Sequence, residues 1–75
     1  MPTSSKLRAI IEQTVAGFDA SAMRDDQLFR DAGIDSLDHL NVLLAVEEQF
    51  GIEIPDEDSK SLNTLNALLA YLAAH

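Results

Sequence analysis

The sequence predicts an all-α fold: a small bundle of three main helices plus a short helix, with a long first loop. Three observations carry that expectation. Apolar residues recur at helical spacing in three separate runs. Gly17, Gly51 and Pro55 punctuate the chain where regular runs stop. The one alternating segment, Ile52-Glu53-Ile54, is too short to be a strand and has no partner to pair with. With 75 residues the chain holds one domain, spanning 1–75. A chain of this size buries only about 60% of its unfolded surface, which leaves little spare stability for an elaborate catalytic cleft.

Leu7, Ile10, Ile11 and Val15 form the stripe of the first helix, with Ala9 and Ala16 suited to the same element. Ser4 or Ser5 is expected to cap its start, and Gly17 to stop it. The stretch from Gly17 to Asp35 is long for a connection without regular structure. Phe18, Met23, Leu28, Phe29 and Ile34 are expected to pin it to the core, with a single helical turn around Asp26 to Arg30. Gly33 supplies turn geometry ahead of the next helix.

Ser36 to Phe50 is the central helix. Asp35 is its N-cap, and Asp38 stands at N3 to close a capping-box-like arrangement. Both acids lie where the helix dipole favours negative charge. Leu37, Leu40, Leu43, Leu44, Val46 and Phe50 make a wide apolar stripe, expected to face the core, and Gly51 ends the run. Ile52 and Ile54 then plug the core from an extended segment. Asp56-Glu57-Asp58 starts a short helical turn through Ser61, and Leu62 anchors the connection beyond it. Asn63 or Thr64 caps a last helix that buries Leu65, Leu68, Leu69 and Leu72, with Tyr71 near its edge.

Thirteen acidic residues face five basic ones, for a formal net charge of -8. Nucleic acid and anionic membranes are poor partners for such a chain, and basic protein surfaces are good ones. From Asp31 through Asp58 there are nine acids and no Lys or Arg, a concentration suited to steering a positively charged partner. Cysteine is absent, so neither a disulfide nor a thiolate metal site exists. His39 and His75 are too few for a histidine-rich metal centre. No signal peptide or membrane span is visible, which makes the cytoplasm the expected location; separately, the chain is expected to be monomeric.

Little supports catalysis. His39 lies three residues beyond Ser36, but a triad also needs an orienting acid and an oxyanion site. A partly exposed surface residue is the better reading of His39. Glu47-Glu48 and Asp56-Glu57-Asp58 are adjacent acids without the separation that glycoside hydrolysis requires. The latter run also lacks the alternating ligands and sixth-position glycine of a calcium loop. Ser36 differs for a physical reason. At the first turn of a capped helix its hydroxyl points away from the bundle end, where amides and dipole favour an attached phosphodiester.

The run Asp31-Ala32-Gly33-Ile34-Asp35-Ser36-Leu37-Asp38 resembles the modification segment of the acyl carrier protein family. The resemblance continues through Leu44, Glu47, Glu48 and Phe50, then Gly51-Ile52-Glu53-Ile54-Pro55-Asp56-Glu57. It closes with Leu62, Thr64, Leu65, Leu68 and Tyr71-Leu72, and so covers essentially the whole chain. It implies an acyl-carrier-like bundle in which Ser36 receives 4'-phosphopantetheine from coenzyme A through a separate phosphopantetheinyl transferase. The arm's thiol would then carry acyl groups as thioesters. The chain would be a carrier and cosubstrate, not an enzyme. Asp35 would serve capping and docking, while Asp38, Glu47 and Glu48 match acidic recognition positions for acyl-transferring, ketosynthase or other enzymes with basic patches. Asn41 stands where the fatty-acid type commonly has glutamate, His39 where a small polar residue is usual, and Asn66-Ala67 where a glycine–aspartate pair is common. These departures leave polyketide, nonribosomal-peptide and lipid-modifying biosynthesis open beside fatty-acid synthesis. The competing expectation is an unmodified acidic helical interaction module, or a degenerate carrier.

Overall fold

The structure, a computed structural model, describes residues 3–74; Met1, Pro2 and His75 lie outside that range. Its elements run α1 (Ser4–Thr14), a 3-10 turn (Ala20–Ala22), α2 (Ser36–Phe50), α3 (Asp56–Ser59) and α4 (Leu65–Ala73). The three longer helices, the short one and the long first connection are those the sequence predicts, and no strand occurs among the described residues.

Helix α1 is capped one residue earlier than expected. Thr3 Oγ1 accepts from the Lys6 N–H at 3.1 Å, and Ser4 and Ser5 lie inside the helix. Leu7, Ile10 and Ile11 are buried, chiefly against α2 and also towards α4. The helix ends at Thr14, and Gly17, with a φ of 76°, turns the chain just beyond it.

The connection to α2 is tied down rather than loose. Met23, Phe29 and Ile34 are buried in the core, and Phe18 is half-buried against it. Leu28 is not in the core cluster and lines a surface cavity instead. The Arg8 guanidinium reaches across from α1 to the Ala20 carbonyl, to the Met23 carbonyl at 2.6 Å, and to the Asp25 carboxylate. Glu12 accepts from the Ala20 N–H at 2.9 Å. Two backbone bonds join the connection to α4 and its approach: Phe29 N–H to Asn63 O at 2.9 Å, and Asn66 N–H, in the first turn of α4, to Asp25 O at 3.0 Å.

These anchors relocate the expected helical turn. The regular piece is Ala20–Ala22, whose N-cap Asp19 accepts from the Ser21 N–H at 3.0 Å and from its hydroxyl. The Ser21 hydroxyl first, then the Ser21 amide, hold Asp19 below the usual carboxylate range. Around Asp26–Arg30 no helix forms, because the Phe29 amide is taken by Asn63 O. Successive turns instead run from Leu28 to Gly33, where φ is 97°, and Ile34 N–H closes them on Phe29 O at 2.9 Å.

Helix α2 keeps its expected bounds. Asp35 Oδ1 accepts from the Asp38 N–H at 2.8 Å, and Gly51 ends the helix in the left-handed region. Only half of the capping box forms, since no bond from the Asp35 amide to Asp38 occurs among the described residues. The buried face is Val42, Leu43 and Val46. Leu37, Leu40 and Leu44 are 67%, 52% and 52% exposed, contrary to the expected core stripe. At about 100° per residue Leu37 and Leu44 fall opposite Val42 and Val46, so one helix cannot bury both sets here. Phe50 is half-buried, with the Lys6 ammonium 5.2 Å from its ring centroid.

Ile52 and Ile54 pack against the core only partly. Helix α3 is shorter than expected; the chain leaves it at Lys60 through turns. Of the two candidate caps for α4, Thr64 is the one used, accepting from the Ala67 N–H at 3.0 Å. Leu65, Leu68 and Leu72 are buried, while Leu69 and Tyr71 are half-buried.

Candidate functional site

Ser36 is exposed at the first turn of α2. Its position follows from two local anchors. Buried Ile34 fixes the chain just before the helix, and the Asp35 cap satisfies an otherwise unpaired amide of the first turn. Two cavities flank the serine. One, of about 300 Å³, opens towards the first connection between Arg30, Ser36 and His39. The other, of about 400 Å³, opens towards α3 between Ser36, Leu40 and Lys60. His39 and Asn63 line both.

His39 is more than a surface residue. Its Nε2–H donates to the Leu62 carbonyl at 2.8 Å, and its ring meets Phe29 edge-on with centroids 5.0 Å apart. The imidazole therefore pins α2 to the segment before α4. Nε2 is committed to a carbonyl, which can only accept. Among the described residues no cluster of His, Cys, Asp and Glu could hold a metal ion.

The acidic positions do not form one patch. Asp35, Ser36 and Asp38 stand together at the start of α2, Asp38 half-buried. Glu47 and Glu48 stand in its last turns, roughly 13 Å further along the axis. Glu48 is exposed, whereas Glu47 is half-buried and its Oε2 accepts from the Ile54 N–H at 2.8 Å. Between the two ends lie the leucines expected inside. Leu37, Asn41, Leu44 and Glu48 recur every three or four residues along one outward stripe, with Leu40 beside it. The spacing of Leu37, Leu40 and Leu44 was visible in the sequence; a second apolar stripe on the same helix was the signal that one of them faces out.

A family model described as a phosphopantetheine attachment site matches residues 5–72. The chain belongs to that family. A member is the attachment site for the 4'-phosphopantetheine prosthetic group, and the chain is a phosphopantetheine-carrying carrier domain. Carrier domains are generally non-catalytic, are modified by phosphopantetheinyl transferases and interact with biosynthetic enzymes. The donors at the head of α2 fit such a group: an exposed hydroxyl stands between two cavities large enough to receive part of a flexible arm. No helix among the described residues is long and apolar enough to cross a membrane.

Proposed function

We propose that residues 1–75 act as a single carrier domain that shuttles acyl intermediates as thioesters on an arm attached to Ser36. The observation that carries this reading is the exposed Ser36 hydroxyl at the capped start of α2, inside a chain of the attachment-site family. The arm supplies a terminal thiol that holds the acyl group. Ser36 offers the ester oxygen, Asp35 fixes the helix start that presents it, and the closed core keeps the attachment point outside the bundle. The chain is a cosubstrate of fatty-acid, polyketide or related cytoplasmic biosynthesis, with no catalytic step of its own.

Docking in this reading uses the outward stripe of α2. Leu37, Leu40 and Leu44 give an apolar contact, while Asp35, Asp38, Glu47 and Glu48 attract basic partner patches and speed encounter. A small apolar contact edged by charge suits partners that must bind and release repeatedly.

The same exposed leucines would also serve an unmodified interaction module. Intact mass separates the two. Incubation with coenzyme A and a broad-specificity transferase is expected to add one arm to the wild-type chain and none to Ser36→Ala. A wild-type chain that stays unmodified, under conditions that modify a control carrier, overturns the carrier reading. Because Ser36 is exposed, Ser36→Ala should keep the wild-type helical signal.

A further inference from the structure

The placement of the few cations points to a feature of the site beyond its hydroxyl. The chain has five basic residues against thirteen acids. Three are engaged: Arg8 pairs with Asp25, Arg24 pairs with Asp26 at 2.9 Å, and Lys6 lies over the Phe50 ring. Arg30 and Lys60 make no ion pair or side-chain hydrogen bond among the described residues. These two instead line the cavities on either side of Ser36, Arg30 on the side of the first connection and Lys60 on the α3 side.

We infer that Arg30 and Lys60 form a cationic bracket that holds the phosphodiester of an arm attached at Ser36. The inference rests on the carrier reading and deepens it. An attached phosphodiester adds a negative charge to a helix start that already bears the Asp35 carboxylate, with Asp35 lining the same cavity as Arg30. Arg30 offers a planar fork of donors that matches phosphate oxygens, and Lys60 a flexible point charge from the opposite side. Between them Asn63 has no side-chain hydrogen bond among the described residues, which leaves its amide free to meet the amides of an arm leaving the phosphate. Arg30 and Lys60 are positioning residues in this arrangement. They would bias where the arm rests, not whether it is attached.

The test compares unmodified and fully modified protein, the latter confirmed by intact mass. In proton–nitrogen spectra the Arg30 side-chain Nε–H signal is expected to shift on modification. The phosphorus resonance of the modified protein should move in Arg30→Gln/Lys60→Gln. It should move the same way in wild type at about 1 M salt, where screening acts within roughly 3 Å. Both side chains are exposed and unpartnered, so the double variant should fold as wild type. A phosphorus resonance identical in wild type and variant, with an unmoved Arg30 signal, overturns the bracket while leaving attachment intact. Absence of any mass addition overturns the carrier reading itself.

Discussion

Leu44 and Leu68 are the same residue type at the same helical spacing from neighbouring leucines, yet one meets water and the other meets the core. Leu68→Ala removes packed methyls and leaves a cavity, so it should destabilise by about 2–5 kcal/mol. Leu44→Ala should change stability by no more than about 0.5 kcal/mol, as surface substitutions do. Urea denaturation of the two variants, with unchanged slopes, checks the pair; a large loss for Leu44→Ala would put the buried face of α2 on the wrong side. Individual side chains are also where sequence reading failed most. Leu37, Leu40 and Leu44 satisfy a helical period as well as Val42, Leu43 and Val46 do. Periodicity reports that a stripe exists, and only the partners supplied by α1 and the first connection decide which stripe is covered. His39 is a similar case: the Leu62 carbonyl that accepts its hydrogen bond is 23 residues away in sequence.

Elements were more legible than residues because caps are local. Asp35, Gly51 and Thr64 each act within a few residues of their position, and each ends or starts the helix the sequence assigns to it. Helix α3 shows the converse. It buries no residue and its Pro55 N-cap makes no side-chain bond, so local signals alone hold it weakly. Its tether comes from α4, where the Tyr71 hydroxyl donates to Asp58 Oδ2 at 2.9 Å. That hydrogen bond foremost, then burial, then the charges of Asp58 and Glu47, raise the phenol above its usual value. A raised value in the folded state means that the stabilisation is complete below the unfolded phenol value of about 10 and is lost as pH rises through the folded one. Stability measured against pH should therefore fall more steeply on the alkaline side for wild type than for Tyr71→Phe. Parallel alkaline limbs would show that the tether contributes nothing.

For the whole molecule, a net charge of -8 makes encounter with a basic partner faster than uncharged diffusion allows. Glu48 is the clean probe, being exposed beside the leucine stripe. Glu48→Lys should slow association with a transferase at low salt by up to about tenfold, with the gap closing as salt rises. Equal rates at low salt would remove Glu48 from steering. Glu47→Lys is the poorer probe, because it also releases the amide of Ile54 and so disturbs the segment after α2. The acidic balance and the head of α2 were readable from composition and local spacing. The bracket of Arg30 and Lys60 was not, since the two are brought to one serine only by the path of the chain between α1 and α4. That path has a practical side. Its first stretch, from α1 to α2, is largely without regular structure yet bonded to α1 and to α4, so a far-ultraviolet spectrum would register that stretch as coil. Helical content will therefore understate how much of this small protein is fixed, and a variant that loosens the Arg8 contacts can look spectrally normal while its serine-bearing end has lost its footing.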